Sequence, residues 1–105
     1  MHIKIKNKKA VIEFESSGTE RASHLLIIDE LVHLVQDHFK EFVFDFSNLN
    51  MSFNSTISGF LLGVVRKLLE NGATITFQNI SDMDVETLRM IGIDQIEGKI
   101  NYILR

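Results

Sequence analysis

Two short apolar runs, Phe42-Val43-Phe44-Asp45-Phe46 and Ala73-Thr74-Ile75-Thr76-Phe77, flank a stretch, residues 55–71, that reads as one helix. The runs are aromatic and β-branched, the composition of strands buried in a sheet. The stretch between them is nearly all apolar, and Asn71-Gly72 ends it as a helix stop should. Two strands joined through a helix cannot pair as a hairpin. They pair in parallel, with a right-handed crossover, as a βαβ unit. An α/β class follows from this segment alone.

The remaining segments extend the unit. Ile3 and Ile5, then Val11, Ile12 and Phe14, alternate with charged residues around the break Asn7-Lys8-Lys9. Period-two patterning about a polar break predicts a hairpin, with lysines on the wet side of an edge. Ser16-Ser17-Gly18-Thr19 reads as a loop closing on a helix cap. Ala22, Leu25, Ile28, Leu31, Val32, Val35 and Phe39 recur at threes and fours, predicting an amphipathic helix over residues 20–40. A strand over 41–46, a polar loop over 47–54, a helix over 55–71 and a strand over 73–77 follow. Ser81-Asp82-Met83-Asp84 has the form of a capping box. It opens a short helix through Val85, Leu88 and Ile91 that Gly92 terminates, and residues 99–104 close the chain as a further strand. The expected architecture is a single α/β domain over residues 1–105. It has a mixed four- to five-stranded sheet, an N-terminal β-hairpin, a parallel βαβ core and about three helices on one side.

Composition narrows the function classes. A chain of 105 residues suits one domain. With 45% hydrophobic and 24% charged residues it is neither disordered nor fibrous. It has no cysteine, which removes disulfides and thiolate zinc sites. A net charge of −3 argues against a nucleic-acid binder that relies on phosphate contacts. No apolar run approaches a membrane span, and the alternating N-terminus is unlike a signal peptide. The expectation is a cytoplasmic protein with no membrane insertion.

Catalytic and cofactor signatures are missing from the sequence. His24, His33 and His38 are spaced nine and five apart, so no two share a helical face as metal-binding pairs do. No metal site or cofactor is expected. The glycines match neither the dinucleotide fingerprint nor the phosphate loop of nucleotide hydrolases, and no Gly-x-Ser-x-Gly elbow exists. The chain is not read as an enzyme.

What remains is the junction Asn54-Ser55-Thr56-Ile57-Ser58-Gly59. Asn54 or Ser55 falls at the helix N-cap or first turn, where either residue type contributes about 1 kcal/mol as a cap. Ser55, Gly59 and Gly63 are spaced four apart and make one side-chain-free line along the helix. Each interior glycine costs about 1 kcal/mol relative to alanine, so a pair on one line suggests close approach by another backbone, either this protein's own sheet or a partner. Ile57, Leu61, Val64 and Leu68 form the core-facing stripe on a different side. The glycine line therefore points at least partly outward, with Phe60 beside it and Arg66 and Lys67 at its far end. A hydroxyl at a helix start is also suited to switching. Phosphorylation adds about −1.5 to −2 charges, which the helix dipole tolerates but a docked surface does not.

The segments Phe42–Phe46, Asn54-Ser55-Thr56-Ile57-Ser58-Gly59-Phe60-Leu61-Leu62-Gly63, Asn71–Ile75 and Leu88-Arg89-Met90-Ile91-Gly92-Ile93 resemble the core of STAS domains. These are the anti-sigma factor antagonists of bacterial partner-switching systems, which act in signal transduction and transcription regulation. The resemblance covers roughly residues 40–96, and the hairpin and first helix precede it in the right order. The family's helix start reads Asp-Ser-Ser-Gly-x-Gly-x-x-x-Gly. Here Asn54 stands at the Asp position and Ile57 at the first glycine, while Ser55, Thr56, Gly59 and Gly63 fall in register. The resemblance implies that Ser55 is the phosphorylated residue, with Thr56 and Ser58 as lesser alternatives. It implies a partner-binding face comprising Asn54, Ser55, Thr56, Gly59, Phe60, Gly63, Arg66 and Lys67. It also implies a GHKL-type serine kinase or anti-sigma factor as partner and a PP2C-type phosphatase as the eraser. The family often adds a C-terminal helix, and a chain ending at Arg105 leaves apolar surface for a homodimer. The alternative is a constitutive STAS interaction module in which Ser55 is only a helix cap.

Overall fold

The computed structural model describes residues 2–15, 21–49 and 52–105. The expected loop over 16–19 with its helix cap, and Asn50 and Met51, lie outside the described residues, as do the side chains of Ala22, His24 and Leu25. Strands β1 (His2–Lys6) and β2 (Lys9–Glu15) form the hairpin. Helix α1 (Arg21–Gln36), strand β3 (Glu41–Asn48), helix α2 (Ser55–Glu70), strand β4 (Thr74–Ile80) and helix α3 (Asp82–Met90) follow. A 3-10 turn (Ile93–Gln95) and strand β5 (Ile100–Leu104) complete the chain.

The five strands lie in the order β1-β2-β3-β4-β5. β1 and β2 are antiparallel, and every later neighbour pairs in parallel. Three crossovers therefore each advance one strand in the same direction. Because each is right-handed by the usual rule, all three place their helix on the same face. Sequence alternation matches this. Ala10, Ile12, Phe14, Phe42, Phe44, Phe46, Ile75 and Phe77 are buried beneath the helices. On the other face Thr74, Thr76 and Gln78 are half-buried, and Asn101 and Ile103 are exposed.

The core is an aromatic cluster. The Phe46 ring lies 5.0 Å from Phe14 and 5.0 Å from Phe53, and Phe77 lies 5.7 Å from Phe44 and from Tyr102. Such tilted pairs add about 0.5–1.5 kcal/mol each beyond burial.

Three element ends differ from the sequence reading by two residues or more. The first helix stops at Gln36, not Lys40. His38 takes φ 72°, the His38 N–H bonds the Val35 carbonyl and the Phe39 N–H bonds the Leu34 carbonyl. This is a Schellman stop closed by a histidine where glycine is usual. Phe39 then packs into the core as the entry to β3. β3 runs on to Asn48, and β4 continues past Phe77 to Ile80 through a register shift. At that shift Asn79 takes φ 58°, and Asn79 Nδ2 donates to Asp45 Oδ1 at 2.9 Å. Burial would raise the Asp45 pKa, but hydrogen bonds from the Asn79 amide and the Ser47 N–H outweigh it and hold the carboxyl below its usual value. Before β5, Gly98 has φ 140°, and a Cβ there would sit 2.7 Å from Leu69 Cδ2. Only glycine lets the chain pass this closely beneath the last turn of α2.

Candidate functional site

Helix α2 begins at Ser55, and its N-cap is Asn54. Asn54 Oδ1 accepts the Ile57 N–H at 2.8 Å, and the Asn54 carbonyl accepts the Ser58 N–H at 2.9 Å. Ser55 is thus the first helical residue and not the cap, which corrects the alternative in which capping is its whole role. The Ser55 side chain is exposed and forms no hydrogen bond with any described residue. By helix geometry the Ser55 and Thr56 N–H groups have no intrahelical acceptor, so the positive end of the helix lies beside this hydroxyl.

The approach to Ser55 is fixed from two directions. Phe53 is buried against Phe46. Its N–H donates to Asp84 Oδ1 at 3.0 Å, a buried bond between the loop before α2 and the first turn of α3. The sequence pattern pairs Asp84 with Ser81 as a capping box. Ser81 does cap α3, its Oγ accepting the Asp84 N–H at 3.2 Å. The Asp84 carboxylate, however, turns to the other loop. A Ser-x-x-Asp pattern carries only the local half of this arrangement, so the positioning role of Asp84 is invisible in sequence.

Replacing Asp84 by alanine leaves the buried Phe53 N–H without an acceptor, a loss of about 1–3 kcal/mol. Urea unfolding should show that loss, and the Phe53 amide should exchange faster. Asp84→Asn, which retains an acceptor oxygen, should lose less. Unchanged exchange at Phe53 in Asp84→Ala would contradict the role.

Along α2 the expected division holds at the glycines. Ile57, Leu61, Val64 and Leu68 are fully buried, whereas Ser55, Thr56, Gly59, Gly63, Arg66 and Lys67 are exposed. A Cβ added at Gly59 or Gly63 would meet no atom of the described residues within 4 Å. Two of the expected residues are not on this surface. Phe60 is 7% exposed and packs 5.9 Å from Phe14, because it lies about 100° around the helix from Gly59 and completes a wide core face. Ser58 is 3% exposed, and its Oγ has no hydrogen-bond partner among the described residues. Its hydroxyl is shielded from solvent.

An open cavity of about 530 Å³ lies beside the loop, lined by Ser47, Ser52, Ser81, Asp84 and Arg105 among others. Its charged groups already hold the fold. Asp84 accepts from Phe53, and Arg105 Nη2 donates to the Phe46 carbonyl at 2.8 Å. Among the described residues no group of histidines and carboxylates could hold a metal ion, and no helix is long and apolar enough to cross a membrane.

Neither a family model nor a curated protein matches the sequence. Solved structures do match. A structure from the molecular architecture of the stressosome, a signal integration and transduction hub, superposes with a TM-score of 0.76 at 18% identity, over 97% of this chain and 88% of the other. A serine-to-glutamate variant of RsbS from Moorella thermoacetica gives 0.75 at 20% identity, over 96% and 85%. The anti-sigma factor antagonist SpoIIAA in its unphosphorylated form gives 0.66 at 17% identity, over 94% and 84%. The chain has the STAS fold, that of solved anti-sigma factor antagonists.

Proposed function

We propose that this protein is a non-enzymatic, cytoplasmic switch that binds a GHKL-type serine kinase or anti-sigma factor through the α2 ridge and releases it when Ser55 is phosphorylated. A PP2C-type phosphatase resets it. The observation that carries this reading is the pair Gly59 and Gly63, whose missing side chains leave a space that no described residue fills. Two interior helix glycines give up about 2 kcal/mol relative to alanine, and no described residue uses the space they leave. A partner backbone lying along the ridge would. Ser55 is at the rim of that contact, exposed and beside the helix dipole, and Thr56 is the only other exposed hydroxyl of the first turn. Arg66 and Lys67 extend the surface with positive charge. That SpoIIAA was solved in a form named as unphosphorylated, and RsbS as a serine-to-glutamate variant, favours a phospho-regulated reading of this fold.

The test is to incubate the chain with a recombinant GHKL-type kinase from the same organism, map the modified residue by mass spectrometry, and compare kinase binding of the two forms. Phosphate on Ser55 with loss of binding is expected. Phosphate on Thr56 moves the site, and unchanged binding after modification removes the switch. The glycine reasoning gives a separate outcome. The double variant Gly59→Ala, Gly63→Ala should gain about 1–2 kcal/mol of stability in urea unfolding while binding the kinase more weakly. A loss of stability would mean that the glycines serve folding and not docking.

A further inference from the structure

At the opposite end of the sheet from Ser55, the β1–β2 turn and the stop of α1 enclose an open cavity of about 440 Å³. Lys6, Lys8, Lys9 and Lys40 line it. A chain of net charge −3 with eleven Lys and Arg thus gathers four of them around one concavity. Glu41 is the one carboxylate of the lining, and no ion pair neutralises any of the four lysines among the described residues. Like charges placed together repel, so their gathering calls for an anionic counterpart.

The backbone here is also held in a costly form. The described residues include four non-glycine positions with positive φ, and three of them, Asn7 (51°), Lys8 (65°) and His38 (72°), line this cavity. A two-residue hairpin loop of this type favours Asn-Gly, and an α1 stop of this type favours glycine. Here lysine and histidine occupy the glycine positions and bring an ammonium and an imidazole to the cavity. The Lys8 Nζ lies 5.1 Å from the centre of the Phe39 ring, which holds the ammonium in place. Strain of this kind persists where the surrounding structure supports it and gathers at binding sites.

We propose that this cavity binds a multiply charged phosphate anion of the pyrophosphate type. The cations are all lysines, which serve phosphate as point charges. The lining offers no exposed aromatic ring on which a base could stack, because Phe39 is buried. The site does not depend on the switch reading, since none of its residues belongs to α2.

Inorganic pyrophosphate titrated into the full chain at low salt, followed by amide NMR shifts and calorimetry, tests this. Saturable binding with shifts at residues 6–9 and 38–41 is expected. The double variant Lys8→Gln, Lys40→Gln should weaken it at least tenfold, while Lys67→Gln should leave it unchanged. Lys8→Gly should relax the turn and raise stability yet still weaken binding. Parallel titrations with inorganic tripolyphosphate and ATP separate the sources: equal affinities identify the phosphate chain as the whole determinant, and tighter ATP binding identifies a nucleotide. No saturable binding by wild type, equal weakening by Lys67→Gln, or tighter binding of a hexaglutamate peptide at the same lysines overturns the assignment.

Discussion

Ser55→Asp is expected to weaken binding to the partner kinase at least a hundredfold, with the melting temperature unchanged or raised. The two halves of this result have one cause. A carboxylate at the first position of α2 meets the positive end of the helix and two N–H groups without intrahelical acceptors. That interaction contributes about 0.3–1 kcal/mol to the folded chain. The same charge at the rim of a docked surface is desolvated and set against the partner. A hundredfold loss corresponds to about 2.8 kcal/mol, within what one misplaced interfacial charge removes. Ser55→Ala should bind like wild type and should not lose a cap, because Asn54 supplies it. Surface plasmon resonance on the three proteins, with thermal melts of each, checks both halves. Equal affinities would exclude the switch, and a large fall in stability for Ser55→Asp would mean that the helix start is not exposed as described.

Phe77→Ala should cost about 3–5 kcal/mol. Phe77 is fully buried and joins three rings, with Phe44 at 5.7 Å, Phe46 at 6.0 Å and Tyr102 at 5.7 Å. It therefore links β3, β4 and β5 beneath α2, and the helix layer cannot collapse into the space its ring leaves. For a domain of this size the melting temperature should fall by more than about 12 °C. Phe77→Leu keeps most of the volume and should cost much less. Calorimetry and urea unfolding measure both variants. A loss under about 1 kcal/mol in Phe77→Ala would place the core elsewhere.

The βαβ centre was legible because Phe42–Phe46 and Ala73–Phe77 are too apolar to lie anywhere but inside. The first helix was read four residues too long. Phe39 continues the spacing from Val35, and nothing in the side chain of His38 announces a left-handed backbone. The apolar alternation of β4 ends at Phe77, whereas a register shift carries the strand on to Ile80. On α2 the exposed glycines were readable from spacing alone. Phe60 and Ser58 are neighbours of the glycines in sequence but not in space, because each residue turns about 100° from the last. The bond from Phe53 to Asp84 spans 31 residues, and no local pattern encodes it. The lysine cavity was hidden for the same reason. Lys6, Lys8 and Lys9 read as a wet edge until the end of α1 brings Lys40 beside them.

The strand order has a consequence for how the chain reaches its structure. Each strand pairs only with the strands immediately before and after it in sequence, and no late strand inserts between two earlier ones. Sheets wound in both directions from the centre must leave an edge unfilled until the later half of the chain arrives. Here a chain emerging from the ribosome can add one strand and one helix at a time to a finished edge, without reopening what has already closed.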